Sequence, residues 1–590
     1  MYKFEVPTNS PWFSDDSHWP EEVPKTLEIP AKPLDSLLKE TAMRWPFQKA
    51  AWFEGTTINY AKYDRMVDSF ATALHQLGVK KGDTVAIMLP NSIQYMVAFF
   101  AIVRIGAIVS GVNPTYKPLE VKHQLKIVKA KYLIFLDILF EEKIKSIEKE
   151  LNLKALIGTN IGDFIPFLKR KAGLLLKKIP FAPLPPNILS FKTMLKTFPN
   201  PPDIEIDPKK DPAVYLMTGG TTGVPKAAAL SHQNVYANAL QIRLWFYKAK
   251  KGIANLGILP FFHAFGMSAV LIATITWGGW LILFPRPPKP AALIKTLKNV
   301  APNKATVYVG VEVLFQKMAD YLAKNPSKIL SKKLMFGISG AGPLHRHVQE
   351  AFEKLANVPL VEGYGLTEAS PVVCANLLWG PDEFRKSGSI GYPLTGTKYK
   401  IVDRNNPSKN LGIASGPEDD EHIGELAVCG PQIMMGYVDK PEETNATIVE
   451  LEGEKWLLTG DIGYMNKRGI VAIMDRKKEL IKYKGYSVFP KDVENLIAQN
   501  EHVSEVAVAG LPDKETNEAI KAWIVLKEES KGKITEEEFK NWCKENLTHY
   551  KVPKYVEFID EIPKNQVGKV LRRLLVEADP VIKDLIENNS

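Results

Sequence analysis

Cysteine is scarce in this chain: its 590 residues hold three, Cys374, Cys429 and Cys543, with no Cys-x-x-Cys pair and no His/Cys cluster at zinc-ligand spacing. That argues against a disulfide framework and a structural metal, and makes a reducing cytoplasm the default setting. The first residues, Met1-Tyr2-Lys3-Phe4-Glu5-Val6-Pro7, lack the apolar core of a secretory signal. No repeat period is visible. Charge of one sign is lacking too, since 76 Lys and Arg stand against 66 Asp and Glu and the net +10 is spread over the whole length. Without a long basic run interleaved with aromatics, nucleic acid is not the expected partner. One uncharged run, the 19 residues from Gly266 to Phe284, has about the length that spans a bilayer. Its Gly278-Gly279 pair, two threonines and the flanking Pro285 favour a buried helix, a turn and then a strand over Trp280 to Phe284.

What is present is a globular composition, 45% hydrophobic and 24% charged, in a chain too long for one core. Two or more domains are expected. Strand-like and helical segments alternate, as in Thr84 to Leu89 followed by Ser92 to Ile105, and Tyr132 to Phe135 followed by the charged Glu141 to Glu150. This alternation predicts a layered α/β architecture with buried, largely parallel strands. The charged run Asp475-Arg476-Lys477-Lys478-Glu479 lies between two strand-like runs, Ile470 to Met474 and Leu480 to Tyr483. A boundary there gives an amino-terminal domain over 1–475 and a small, lysine-rich α+β domain over 476–590.

Phe164 to Pro186 breaks the pattern. It combines Phe164, Ile165, Phe167, Leu168 and Leu174 to Leu176 with five basic residues and ends in prolines. The simpler reading is a helix packed on its own domain with a solvated basic face, and the other is docking on a membrane surface.

The strongest local signal is Thr218-Gly219-Gly220-Thr221-Thr222-Gly223-Val224-Pro225-Lys226, directly after the apolar strand Ala213 to Met217. Glycines let the backbone turn and approach an anion, threonine hydroxyls and bare amides donate hydrogen bonds, and Lys226 adds positive charge. It is a phosphate cradle but not a Walker loop, because GxxxxGK[ST] cannot be laid on it. A second cluster is Glu362-Gly363-Tyr364-Gly365-Leu366-Thr367-Glu368. Its glycines admit a flat ligand, Tyr364 offers a stacking face, Thr367 a hydroxyl and Glu368 a hard oxygen for magnesium. It follows closely on Gly337-Ile338-Ser339-Gly340-Ala341-Gly342-Pro343. That stretch lacks the third glycine of a dinucleotide fingerprint, and as a nucleophile elbow around Ser339 it has Ala341 where glycine is needed. Thr459-Gly460-Asp461 sets a carboxylate after a tight turn, suited to two neighbouring sugar hydroxyls. Pro563 to Lys569 is a loop presenting a lysine after Gly568. Standing alone, the Glu362 to Glu368 cluster could equally be a glycine turn with a surface glutamate, Asp461 reads as a turn aspartate, and Lys569 as a solvated lysine.

Read together and in this order, the residues resemble the adenylate-forming superfamily of acyl-CoA synthetases, luciferases and adenylation domains, over nearly the whole chain. Leu259-Pro260-Phe261-Phe262-His263-Ala264-Phe265-Gly266, Tyr364 to Trp379 and Asp475 to Gly485 look most like long-chain fatty acyl-CoA synthetases. The resemblance implies a large amino-terminal domain of α/β/α/β/α layers with a small β-barrel-like part, and a small mobile carboxy-terminal domain. It implies activation of a fatty acid by ATP to acyl-AMP, then transfer to coenzyme A. By the same resemblance Thr218 through Lys226 hold the ATP phosphates, and Thr218 and Glu368 the Mg2+. Gly340, Ala341, Gly342, Glu362, Gly363 and Tyr364 frame the adenine, Thr367 contacts the phosphate, and Asp461 and Arg476 grip the ribose. Lys478 is the hinge, Lys482 and Gly485 belong to the thioester site, Lys569 is the lysine of adenylation, and His263 sits beside the acyl carboxylate. The implied partners are small molecules, with a homodimer as the family-level expectation, while peripheral membrane association is an expectation from the segment Phe164 to Ile179. Two departures stand out: Gly219 occupies a place that is usually serine or threonine, and Ala227 one that is usually glycine. Neither touches Lys226, so altered ATP affinity at most is expected. Aryl or medium-chain acids, a carrier-protein thiol as acceptor, and an inactive nucleotide sensor or lipid-binding scaffold stay open at this stage.

Overall fold

The computed structural model describes residues 1–218, 226–381, 384–385, 388–476, 479–483, 486–488, 490–513, 517–547, 549–564 and 570–580, with backbone alone at 476, 482, 486, 487, 492 and 517. It is a mixed α/β protein whose described residues group into two compact units. One holds residues up to 218, 226–398 and 429–450, and the other 399–428 and those after 450. The expected boundary after residue 475 falls within the second unit.

The first unit contains an eight-stranded and a nine-stranded sheet. In the eight-stranded sheet Ile108–Gly111, Thr84–Met88, Ala130–Leu136 and Ala155–Thr159 run parallel, and Pro212–Thr218 pairs antiparallel with Lys226–Ser231. In the nine-stranded sheet Trp280–Leu283, Ala254–Gly257, Thr306–Gly310, Leu334–Ser339 and Leu360–Gly365 are parallel neighbours. The strands are apolar on both faces, as parallel strands covered by helices must be.

The helix Ile93–Arg104 matches the expected one and is buried at every position, which its all-round apolar sequence IQYMVAFFAIVR demands. It starts where the Ser92 side chain accepts the Tyr95 N–H at 3.3 Å. It ends on Arg104, whose buried guanidinium meets Asp64 and Asp68 at 2.6 Å each, both on the helix Tyr60–Gln76, and Asp35 at 3.3 Å. The run Gly266 to Phe284 is a π-helical turn over Gly266–Ile272, a short helix Ala273–Thr276, a turn and the strand Trp280–Leu283, all of it buried apart from the turn geometry that Gly278 supplies at φ 59°. Among the described residues no helix is long and apolar enough to cross a membrane.

Glu141 to Glu150 departs from the regular helix that alternation suggests. It forms a π-helical turn, Phe140–Ile144, and a 3-10 turn, Glu148–Glu150. Phe140, Ile144 and Ile147 are its buried apolar anchors, and Lys143 turns inward to donate to the carbonyls of Pro114 and Tyr116 at 3.0 and 2.9 Å. The apolar spacing suits a helix, and the inward reach of Lys143 to the carbonyls of another segment breaks it into two turns.

The second unit holds two five-stranded sheets, one containing the antiparallel strands Gly424–Cys429, Glu454–Met465 and Val471–Arg476, and a second, with longer paired strands, carried by Val503–Asp513 and Asn517–Leu526. Ile481–Tyr483 and Tyr486–Val488 pair antiparallel at one edge of this second sheet, and Tyr555–Phe558 adds a parallel strand. Helices Pro490–Ile497 and Glu536–Asn546 close its core around Val493, Ile497, Ile520, Ile524 and Phe539. The strands on either side of the Asp475 to Glu479 run are therefore where its sequence put them.

Two buried groups test this packing. Arg104→Leu takes the guanidinium from Asp64, Asp68 and the buried Asp35, leaving Asp35 with Lys39 at 3.1 Å, and should cost about 3 kcal/mol, read as an earlier midpoint in urea unfolding followed by far-UV circular dichroism. His232 is fully buried, its Nδ1 accepts the Leu34 N–H at 3.1 Å, and burial pulls it down from 6.5 to about 4. Its pKa is lowered on folding, so its contribution is complete above pH 6.5 and is lost as pH falls through 4. His232→Asn, which keeps an acceptor but does not titrate, should lose roughly 3 kcal/mol less than wild type between pH 7 and pH 4.

Candidate functional site

The two ends of the expected phosphate cradle are adjacent. Thr218 closes one strand, Lys226 opens the next, and the two are Cα partners across the antiparallel hairpin. Gly219, Gly220, Thr221, Thr222 and Gly223 between them lie outside the described residues. Ala227 pairs with Met217 and is fully buried, so its extra methyl is absorbed within the sheet.

On the far side of Lys226–Ser231 the short strand Gly436–Tyr437 adds in antiparallel register, Ala228 opposite Tyr437. This places the Lys226 ammonium over the Tyr437 ring, 5.0 Å from its centroid. The Tyr437 hydroxyl donates to Glu368 Oε1 at 2.8 Å, and the Glu368 carbonyl accepts the Met434 N–H at 2.8 Å. Burial and the neighbouring carboxylate raise the phenol far above its ordinary value, so it stays a protonated donor. Glu368 itself sits with Thr367 on a 3-10 turn, Thr367–Ala369, that lies against both strands of the hairpin. A cation, a hydroxyl and a hard carboxylate thus gather at the mouth of the cradle. Thr218, at the end of its strand, and Glu368 carry the kind of oxygen donors that a magnesium ion would take.

The glycine stretches converge at the ends of two parallel strands. Ser339 and Glu362 are register partners, and Gly340 and Gly363 follow them. A Cβ on Gly340 would lie 2.8 Å from the Phe265 ring and 3.1 Å from the Gly363 carbonyl, so only glycine permits this approach. Ala341 adopts a left-handed φ of 65°, while Gly342 faces open space. Glu362 is buried, Tyr364 is half-buried and stands opposite Cys374 on the antiparallel neighbour Val372–Ala375. Ser339 is fully buried on its strand, which removes it as an exposed nucleophile.

Phe265 belongs to the segment that carries His263, and that segment is held from below by Asn91. The Asn91 amide donates to the carbonyls of Gly257 and Leu259 at 2.9 and 2.8 Å, and its oxygen accepts the Phe261 N–H at 2.9 Å. Gly111 lets the eight-stranded sheet approach, since a Cβ there would sit 2.7 Å from the Phe262 Cα. Desolvation lowers His263 to about 4, so its ring is neutral at pH 7.

In the second unit Asp461 and Arg476 are Cα partners on adjacent antiparallel strands. Asp461 does not follow a tight turn. It lies inside the long strand Glu454–Met465, which bends at Gly460, φ 72°, where the Gly460 N–H donates to Glu425 Oε1 at 3.0 Å and the Thr459 hydroxyl donates to the Leu426 carbonyl at 2.9 Å. A polar TGD triplet mimics a turn in sequence, whereas here it is a kink in a strand whose flanks are apolar. Lys482 lies on the strand Ile481–Tyr483 opposite Ser487. Lys478, Gly485 and Lys569 lie outside the described residues.

Tyr437, Asn91, Phe265 and Gly111 were not singled out from the sequence. Phe265 and Gly111 carry no chemistry of their own, and Asn91 acts entirely through backbone groups over 160 residues away. Tyr437 becomes legible only through its pairing with Ala228.

Residues 38–438 match the family model described as AMP-binding enzyme, and residues 492–569 that of the AMP-binding enzyme C-terminal domain. A long-chain-fatty-acid–CoA ligase of Bacillus subtilis (strain 168) is 37% identical over 587 residues, covering 97% of this chain and 98% of that protein. Another, of Escherichia coli O6:H1, is 34% identical and covers 95% and 97%. The fold is shared with ATP-bound MatB from Rhodopseudomonas palustris, at TM-score 0.78, 24% identity and coverage of 92% of this chain and 99% of that one. A long-chain-fatty-acid-CoA ligase from Archaeoglobus fulgidus gives TM-score 0.65 at 24% identity, covering 90% and 98%.

The two glycines of one stretch should behave oppositely. Gly340→Ala must displace the Phe265 ring and is expected to destabilise by about 1–3 kcal/mol, whereas Gly342→Ala should stay within about 0.5 kcal/mol of wild type, both read by urea denaturation.

Proposed function

Because this chain belongs to the AMP-binding enzyme family, we propose that it is an AMP-forming ligase that joins a long-chain fatty acid to coenzyme A. The observation that carries this is the junction of Lys226, Tyr437 and Glu368 at the mouth of the Thr218 to Lys226 hairpin. It supplies a fixed positive charge and a hard carboxylate beside an anion cradle, which is what chemistry at a triphosphate needs.

A carboxylate resists thiol attack because it is anionic and its leaving group would be oxide. Attachment of AMP removes both obstacles. In the first step the acid's carboxylate oxygen attacks the α-phosphorus of ATP, the bond to the bridging oxygen breaks, and pyrophosphate leaves. Negative charge gathers on the phosphate oxygens, and Lys226 meets it from a position fixed by the Tyr437 ring. Thr218 and Glu368 would hold Mg2+, which neutralises phosphate charge when bound. Gly340 to Gly342 and Glu362 to Tyr364 take the adenine face, Thr367 a phosphate oxygen, and Asp461 with Arg476 the ribose hydroxyls. His263, neutral at working pH, orients the acyl carboxylate without adding a competing charge.

In the second step the thiol of coenzyme A attacks the acyl carbon, gives up its proton, and AMP departs. A lysine needed against the phosphates in the first step would obstruct the thiol in the second. The proposal assigns Lys569 to adenylation and the face carrying Lys482 and Gly485 to thioester formation, exchanged by rotation about Lys478. Peripheral membrane association and a homodimer complete this reading.

The test is an acid panel, from short to long chain and including aryl acids, that follows AMP and pyrophosphate with and without coenzyme A. Long-chain acids should give AMP, pyrophosphate and thioester together; turnover confined to aryl acids, or to a carrier-protein acceptor, replaces the substrate assignment, and no AMP with any acid removes the function. Lys569→Ala should lose at least a hundredfold in acid-dependent ATP/pyrophosphate exchange while still converting supplied acyl-AMP and coenzyme A to thioester. Equal loss in both half-reactions would sink the two-position mechanism.

A further inference from the structure

The segment after Asp163 is built as a platform and presents its apolar side outward. The helix Phe167–Leu175 has no buried residue. Phe167, Leu168, Leu175 and Leu176, with Phe181 just beyond the return, are between 61% and 83% exposed. Phe167, Leu168 and Leu175 fall on one face of the helix by spacing. A helix packed on its own domain would bury that face, so the simpler sequence reading of this segment does not hold.

The platform is also anchored. The Lys169 ammonium reaches the Glu54 carbonyl at 2.8 Å and its carboxylate at 2.5 Å, and Arg170 pairs with Asp163 at 3.1 Å. The helix ends where the amides of Lys178 and Ile179 both donate to the Gly173 carbonyl, at 2.8 and 3.0 Å. Ile179 packs so close that a Cβ on Gly173 would lie 2.6 Å from its side chain. Asn160 then pins the Pro180 carbonyl at 2.8 Å and reaches the Asp137 carboxylate at 2.8 Å. Polar contacts therefore hold the segment against the unit while its largest apolar groups stay in water.

Charge selects the occupant. From residue 164 to residue 202 the chain has no Asp or Glu, and it carries seven Lys and Arg. Lys171, Lys177 and Lys178 are exposed beside the apolar residues. Apolar side chains interspersed with exposed cations, Lys171 standing between Phe167 and Leu175 on the same face, match a layer of anionic headgroups over acyl chains, where a lysine can reach up to the headgroups while its neighbours enter the acyl boundary.

We propose that residues 167–181 form a docking surface for an anionic lipid bilayer, with Phe167, Leu168, Leu175, Leu176 and Phe181 entering the acyl boundary and Lys171, Lys177 and Lys178 meeting the headgroups. This gives the membrane association included in the proposed function a specific surface. It is read without ATP or acid, so its failure leaves the ligase chemistry untouched, and failure of the chemistry leaves the surface standing.

The experiment is co-sedimentation of the full chain with extruded vesicles of phosphatidylcholine alone or with one third phosphatidylglycerol. Wild type should partition at least about tenfold more strongly onto the anionic vesicles and release in high salt. The triple variant Lys171→Glu, Lys177→Glu, Lys178→Glu should lose on the order of a hundredfold on anionic vesicles. The triple variant Leu168→Ser, Leu175→Ser, Leu176→Ser should lose binding to both kinds. Both variants should keep the wild-type thermal midpoint and turnover on a fully dissolved acid, which shows that they fold. Wild type that fails to sediment with anionic vesicles, or variants that sediment as wild type does, would overturn the proposal. So would a mass in size-exclusion chromatography that halves in the leucine variant while vesicle binding is absent, since the surface would then join two copies of the chain.

Discussion

Tyr437 stands between Lys226 and Glu368, its ring under the ammonium and its hydroxyl on the carboxylate. On the proposed reading, in which both groups would serve one triphosphate, an ammonium and a carboxylate in direct contact would each spend its charge on the other. The tyrosine avoids this by taking the ammonium on its π face and the carboxylate on its proton. The hydroxyl can do so only while protonated, and burial beside Glu368 keeps it that way. The hairpin register, the added strand Gly436–Tyr437 and the 3-10 turn Thr367–Ala369 all serve to hold this one junction.

The rest of the first unit's site depends on how closely backbone can approach backbone. Gly111 admits Phe262 from one sheet, and Gly340 admits Phe265 from the other. The His263 segment is thereby wedged between strand ends of two sheets, with Asn91 supplying the hydrogen bonds that its irregular backbone cannot make to itself. Ligand sites at the carboxyl ends of parallel strands are a general outcome of this architecture. What is particular here is that aromatic rings, rather than polar groups, set the spacing.

Legibility in the sequence tracked the range of the forces involved. The helix Ile93–Arg104 and the strand Ala130–Leu136 could be read because each is decided by its own apolar content. Glu141 to Glu150 could not, because its turns are set by Lys143 reaching back to Pro114 and Tyr116. Thr459-Gly460-Asp461 has turn chemistry but is carried within a strand as an irregularity, since the strand pairs before it at Leu457 and Leu458 and after it at Ile462 and Gly463. The helix Phe167–Leu175 was legible as amphipathic, yet which way its apolar face points depends on Glu54 and Asp163, which no local pattern reveals.

The sequence by itself determined the chemistry: the order of the glycine and threonine cradle, the Glu362 to Glu368 cluster, Asp461 and the carboxy-terminal lysines requires specific side chains at specific places, and those are written residue by residue. Only the tertiary structure decided which of them meet. Lys226 finds Glu368 through Tyr437, Gly340 finds Gly363 under Phe265, and the face of Phe167 and Leu168 is left in water. The physical reason is that functional groups are local properties of residues, whereas register, close approach and exposure are set by strand pairing and packing between segments far apart in the chain.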